Sequence, residues 1–329
     1  MSVDPMAPPL LEVKNLSVHF SKSLGFLDRV GRTTKAVDGV NLQLGELDVL
    51  CVVGESGSGK TTLGRTIAAL TRPTSGNVLY RGTDVTKMRG AQLRGYRKDV
   101  QMVFQDPFAS LNPREDIYTI LSMPMIKLTG EKDRKKLREA CVALLQDVGL
   151  QEDVLNKLPH QLSGGERQRI SIGRALASHP KVLIADEPVS MLDASLRLNF
   201  LSLFNRLMKE HNMSILLITH DLATAKVMGG RTAVMYLGKL VELGPTADIL
   251  SEPHHPYAEL LLAASPRMKE DAAAGEVAPM EKSEKVTKGC VFRPRCKYAT
   301  SVCAEADPPL EPKTEEHFAA CHNWINRAN

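Results

Sequence analysis

The first chemistry in this sequence sits at residues 54–61, GESGSGKT, where small residues lead up to a lysine and a threonine. Gly54, Gly57 and Gly59, with Ser56 and Ser58 between them, leave room for successive backbone N–H groups to curl around phosphate oxygens. Lys60 is placed to neutralise charge at the β/γ position, and the Thr61 hydroxyl, followed by Thr62, is a ligand for Mg²⁺. Such a loop alone leaves kinases, GTPases and many ATPases open. A second concentration of reactive groups is Cys290, Cys296, Cys303 and Cys321, which crowd into the last forty residues at intervals of five, six and seventeen. Clustered thiols in a cytosolic chain suggest metal ahead of disulfides, although these spacings lack the short C-x2-C pairs of common zinc modules. Cys51 and Cys141 fall instead in an apolar strand and on an apolar helix stripe, which is a structural placement.

Particular elements must deliver these groups. Residues 48–54, DVLCVVG, are β-branched and continuously apolar, which fits a strand buried on both faces that ends at the phosphate loop. A helix over 60–70 should start at the loop, with its positive N-terminal end toward the phosphates. Segment 11–20 alternates apolar and polar residues, as an antiparallel strand with one wet face does. Residues 21–34 have no period and read as a loop or loose hairpin, after which AVDGVNLQL and DVLCVVG are expected to form a second strand pair. Between Gly95 and Leu176 helix is expected, with Leu137, Cys141, Leu144, Leu145 and Val148 as a core stripe. Strands return at 181–187 and 214–220 around a helix over 195–211, and this alternation predicts a parallel, helix-flanked sheet. A further strand pair, RTAVMYLG and KLVELG, precedes the turn EPHHPY and a helix over 257–264. Residues 265–289, rich in Ala, Glu and Lys, read as a linker.

Composition sets the outer limits. A chain of 329 residues with 43% apolar and 24% charged content suits one nucleotide-binding domain, expected at 11–264 after a flexible start at 1–10, plus an appendage at 290–329. The formal charge of +4 argues neither for a nucleic-acid binder nor for a strongly basic membrane-surface protein. The start lacks a basic-then-apolar leader, and no stretch approaches eighteen consecutive apolar residues. A cytosolic protein is therefore expected, any spanning segments belonging to other subunits.

Three further strings narrow the class: LSGGERQR at 162–169, VLIADEP at 182–188 and ITHD at 218–221. Together with the phosphate loop, they resemble the motifs of ABC ATPases. The resemblance implies an α/β P-loop NTPase cassette: a RecA-like parallel-sheet core, an antiparallel β subdomain and an α-helical signature subdomain at about 95–176. It also implies ATP and Mg²⁺ as ligands and a head-to-tail sandwich of two chains. In that family Ser163, Gly164 and Gly165 would face the ATP of the opposite subunit from a helix N-terminus. Asp186 would hold Mg²⁺, Glu187 would polarise the attacking water and His220 would contact the γ-phosphate. Gln105, in VFQDP, matches the Q-loop that touches Mg²⁺ or the attacking water, and Asp193 matches the D-loop at the dimer seam. Phe20 stands where an aromatic stacks on adenine. Glu166, Gly173, Met191 and Ala194 depart from the commoner residues without removing a catalytic group.

Longer stretches, VQMVFQDPFASLNPR, MYLGKLVELGP and HPYAELLLAASP, are similar to the ATP-binding subunits of dipeptide and oligopeptide importers, and SLNPR favours their F type. That resemblance implies a D-type sister ATPase, two transmembrane permease subunits, an extracytoplasmic substrate-binding protein and a peripheral place on the cytoplasmic face of the inner membrane. It also implies a four-iron cluster on the four tail cysteines, zinc or no metal being the alternatives; Arg293, Arg295 and Lys297 would offset its charge, or form a solvated basic turn. A soluble ABC ATPase acting on nucleic acid or ribosomes is the rival. Such proteins carry coiled-coil insertions or tandem cassettes, and no basic stripe stands out in this sequence.

Overall fold

The computed structural model describes residues 8–21, 33–190, 192–264, 286 and 288–324. Residues 1–7, most of the loop expected at 21–34, Met191 and nearly all of the expected linker lie outside them. In chain order the strands are β1 (Leu11–Ser21), β2 (Thr33–Leu44), β3 (Val49–Val53), β4 (Ser75–Tyr80), β5 (Thr83–Asp84) and β6 (Val100–Val103). They continue with β7 (Val182–Asp186), β8 (Ser214–Thr219), β9 (Arg231–Tyr236), β10 (Lys239–Pro245), β11 (Glu311–Pro312) and β12 (Phe318–Ala319).

Strand β3 is the hub of the main sheet. All of its residues are buried, and it is flanked in parallel by β8, with Val49 opposite Ile215, and by β9, with Leu50 opposite Arg231. The sheet runs β11-β12-β10-β9-β3-β8-β7-β6, and a separate antiparallel sheet runs β2-β1-β4-β5. The segments 36–44 and 48–54 therefore do not pair with each other. β2 alternates buried Val40, Leu42 and Leu44 with exposed neighbours and finds its partner in β1, Leu11 opposite Leu44. The unbroken apolar run of β3 needs cover on both faces, which the middle of a helix-flanked parallel sheet provides.

The helical expectation for 95–176 missed β6. That strand has four residues, too few to display a period, and its identity comes from pairing with β7, Val100 opposite Val182. Beyond it lie the helices Ile117–Pro124, Arg134–Asp147 and Gly164–Leu176. The stripe Leu137, Cys141, Leu144, Leu145 and Val148 is buried in one cluster with Ile170, Leu183, Phe200 and Phe204. Asp133 caps the middle helix by accepting the N–H groups of Lys135 and Lys136, a side chain that satisfies otherwise orphaned donors.

The tail is not a free appendage. Strand β12 pairs antiparallel with β10, Glu242 opposite Ala319 and Leu243 opposite Phe318, so residues beyond 290 extend the main sheet. Cys290, Phe292 and Cys303 are buried with Tyr236, Val241, Ile249 and Tyr257. The iron–sulfur cluster expected on Cys290, Cys296, Cys303 and Cys321, with zinc as its alternative, is overturned. Among the described residues no group of three or more His, Cys, Asp or Glu side chains is placed to hold a metal ion, and all four cysteines are free. Burial among apolar neighbours pushes the Cys290 and Cys296 thiols up and the Cys321 thiol up to about 11, away from the thiolate that metal binding uses. Two basic residues of this turn have carboxylate partners instead: Arg295 pairs with Glu55 and Lys297 with Glu259.

Candidate active site

The C-terminal ends of β3, β7 and β8, three parallel neighbours, open on one cleft. β3 runs directly into the loop 54–59, and the helix Lys60–Ile67 leaves it at once. The turn requires glycine at two places. Gly59 has φ 106°, and a Cβ there would lie 2.0 Å from the Ala36 carbonyl oxygen, while a Cβ on Gly54 would lie 2.1 Å from that of Met235. The loop thus winds against the backbones of β2 and β9, and no side chain fits between them.

Lys60 lies folded back across this loop. Its Nζ donates to the carbonyl oxygens of Gly54 at 2.6 Å and Glu55 at 2.8 Å, and approaches Ser58 Oγ at 3.4 Å. Burial lowers its pKa against the opposing pull of Glu187, Asp186 and Glu55. Thr61, one residue on, donates from Oγ1 to Asp186 Oδ1 at 3.1 Å. Asp186, at the end of β7, is 2% exposed. Burial, with the adjacent Glu187 charge, raises its pKa even though the Thr61 hydroxyl works the other way. A hydroxyl and a carboxylate converging this closely are the hard oxygen donors that suit Mg²⁺.

Glu187 follows with φ 46°, in the left-handed region. Its N–H is tied to the Ile218 carbonyl at 2.8 Å. This conformation costs a non-glycine residue about 1–3 kcal/mol and turns the chain at the mouth of the cleft. Glu187 Oε2 sits 2.8 Å from His220 Nδ1 beyond the end of β8. Burial opposes ionisation of Glu187, but the hydrogen bond and charge of His220, with Lys60, outweigh it and leave the carboxyl below its usual range. The same bond is the main cause that raises the His220 pKa.

The cleft has a volume of about 900 Å³, ample for a nucleotide. Ser56, Gly57, Gly59, Lys60, Thr61 and Thr62 line it together with Gln105 and Glu187. Phe20 is 49% exposed at the end of β1, opposite Thr34, which also lines the cleft. The remaining predicted residues lie elsewhere. Ser163 caps the helix Gly164–Leu176 through a reciprocal box with Glu166, and Ser163, Gly164 and Gly165 do not line this cleft. Asp193 is exposed at the start of the helix Ala194–Glu210.

Sequence reasoning missed one set of neighbours. Tyr257, buried far along the chain, accepts the Glu55 N–H on its hydroxyl at 2.8 Å, and Lys239, Lys288, Glu305 and Asp307 line the far wall of the cleft. The only signal was the HPY string, which reads as turn chemistry until the tail is seen folded against the loop.

Comparison with known proteins places the family. The family model described as ABC transporter matches residues 37–190, and the one described as Oligopeptide/dipeptide transporter, C-terminal region, matches residues 241–303. The chain is 41% identical to the oligopeptide transport ATP-binding protein OppF of Escherichia coli (strain K12), covering 95% of both proteins. It is 39% identical to AppF of Bacillus subtilis (strain 168), covering 95% of this chain and 97% of that one. The dipeptide transport ATP-binding protein DppF of Haemophilus influenzae (strain ATCC 51907 / DSM 11121 / KW20 / Rd) is 39% identical, over 95% of this chain and 96% of the other. Among solved structures, the dimeric ATP-binding cassette MJ0796 in a post-hydrolysis state with ADP and Pi superposes with a TM-score of 0.63 at 28% identity, over 72% of this chain and 98% of that one. The chain is thus an ABC-type ATPase, and it belongs to the ATP-binding proteins of the oligopeptide/dipeptide branch of the ABC transporter family.

Proposed function

We propose that this chain powers an importer for peptides or similar small solutes from the cytoplasmic face of the inner membrane. Its companions would be two transmembrane permease subunits, a D-type sister ATPase and an extracytoplasmic substrate-binding protein. The near full-length similarity to proteins named for oligopeptide and dipeptide transport supports the solute class. Among the described residues no helix is long and apolar enough to cross a membrane, so a spanning path would come from partners. We divide the chain into a cassette at 11–264, a linker at 265–289 and a tail at 290–329.

In this reading Gly54, Ser56, Gly57, Ser58 and Gly59 wrap the triphosphate, Lys60 swings from its two carbonyl partners onto the phosphates, and Thr62 joins the helix N–H groups below them. Thr61, Asp186 and Gln105 would hold Mg²⁺, which would supply charge neutralisation for the phosphates. Glu187 orients the attacking water and draws off its proton, while His220 steadies the carboxylate through the 2.8 Å bond and reaches the terminal phosphate. Phe20 stacks on the base. Ser163 and Gly164, which are exposed, and the half-buried Gly165, all away from the cleft, serve the nucleotide of the sister chain, with Asp193 at the seam.

The observation that carries this reading is the meeting of the Glu187–His220 pair with the Thr61–Asp186 bond beside Lys60. The test is uptake of labelled dipeptides and oligopeptides in cells carrying Glu187→Gln in place of the wild-type gene. Loss of uptake with an assembled complex supports the proposal. Undiminished uptake, or recovery of the chain with ribosomes in place of permease subunits, refutes it.

A further inference from the structure

The phosphate loop and the tail are joined by one two-pronged ion pair. Arg295 Nη1 and Nη2 donate to Glu55 Oε2 at 2.9 Å and Oε1 at 3.0 Å. Glu55 is the second residue of the loop and Arg295 follows it by 240 positions, so nothing local requires them to meet. The guanidinium is held from below as well, 5.8 Å from the ring centroids of both Tyr236 and Phe292. Those rings are fixed in turn: Tyr236 packs 4.6 Å from Tyr257 and 5.3 Å edge-on to Phe292. Tyr257 returns to the same loop residue by accepting its N–H. Glu55 is therefore gripped at its carboxylate by the tail and at its amide by the helix Pro256–Ala264, and its carbonyl is one of the two that hold Lys60.

Two neighbouring contacts point the same way. Lys239 of β10 bridges Asp307 of the tail and Asp38 of β2, and Val286, Lys288, Gly289, Val291, Glu305 and Asp307 form part of the cleft wall. The tail is thus anchored on the sheet edge and leans on the loop from outside.

We infer that Arg295 is a positioning residue for nucleotide binding, through which the tail holds the phosphate loop in its wound shape. The inference rests on reading residues 54–61 as the loop that grips ATP phosphates. A guanidinium meeting a carboxylate with two parallel bonds fixes direction as well as distance. Glu55 cannot rotate without breaking both bonds, so the carbonyls of Gly54 and Glu55 stay aligned before any phosphate arrives. Without the brace, part of the binding energy goes to ordering the loop. The cost should appear in affinity more than in the chemical step.

The test measures MgATP affinity by equilibrium binding to the full chain with Arg295→Ala, Arg295→Lys, Glu55→Ala and the double Ala variant, alongside thermal melts. Each single Ala variant should weaken MgATP binding about tenfold, the expected scale for losing a charged hydrogen-bonded pair, and Arg295→Ala, which lies outside the loop, should change turnover at saturating ATP little. The double variant should be no weaker than either single one, and Arg295→Lys should fall between wild type and Arg295→Ala. Unchanged affinity in both single variants, additive losses in the double variant, or losses confined to the melting temperature would overturn the inference. A wild-type chain that failed to bind MgATP would instead strike at the reading of the loop itself, so the two failures are distinct.

Discussion

Replacing Glu187 with glutamine keeps the size of the side chain and removes its charge, which makes it the sharpest probe of the cleft. Glutamine retains an oxygen that His220 Nδ1 can meet where Glu187 Oε2 now lies, at 2.8 Å. The unusual φ of 46° at this position is a backbone property that the substitution leaves alone. What vanishes is an acceptor for the proton of the attacking water. Since His220 and Lys60 hold this carboxyl below its usual range, it is ionised at neutral pH and able to fill that role. A positioned base contributes about 10²- to 10⁴-fold to rate, which is about 3–5 kcal/mol of barrier at ~1.4 kcal/mol per decade. Binding should follow the opposite trend, because the lost charge repels a triphosphate seated on Lys60. Phosphate release by the assembled ATPase should therefore fall by two to four decades, on the order expected for a lost base, while MgATP affinity is kept or improved. Turnover equal to wild type, or affinity lost in parallel with turnover, would refute the assignment.

Gly59→Ala would place a methyl group 2.0 Å from the Ala36 carbonyl oxygen at φ 106°; the strain of about 1–3 kcal/mol or more should deform the loop, abolish MgATP protection in melts and lower stability. Glu242 is fully buried and accepts the N–H groups of His254 and His255 at 2.8 and 2.9 Å and meets His317 Nε2 at 2.7 Å. Glu242→Gln turns one acceptor into a donor facing donors and should cost about 2–4 kcal/mol in denaturant unfolding; an unchanged midpoint would count against this network. His255 is 1% exposed, and desolvation lowers its pKa from 6.5 to about 3. The unfolded chain therefore takes up this proton first as pH falls: stability from this residue is intact above about 6.5 and is lost toward 3, at roughly 1.4 kcal/mol per pH unit. His255→Phe should flatten that part of the stability profile, and an identical acid limb in both proteins would contradict the assignment.

The residues of the phosphate loop and of the ends of β3 and β7 were legible in the sequence because each is tied to a local cause, whereas Lys239, Lys288, Glu305 and Asp307 on the far wall were not. A buried β-branched run announces β3, glycines announce the loop after it, and an acidic pair after VLIAD marks the end of β7. Contacts between distant segments were not legible in this way. β6 has too few residues to show a period, and its strand character comes from β7, where Val100 meets Val182. β2 was assigned a wrong partner because alternation reveals that one face is buried and not which strand covers it. The tail shows the same limit with larger consequences. Its four cysteines suggested metal from their clustering and from the family resemblance, yet neither reports that Cys290 and Cys303 are buried with Tyr236 and Phe292, or that burial favours the neutral thiol at Cys290. Arg295 looked like one charge in a basic turn, and its partner Glu55 drew no reading of its own within the glycine-rich loop. Each residue was ordinary in its own stretch, and they meet where the tail packs on Tyr236 and Tyr257 and pairs β12 with β10. The chemistry of phosphate binding is thus encoded locally, whereas the rigidity that makes the loop effective is supplied from the far end of the chain.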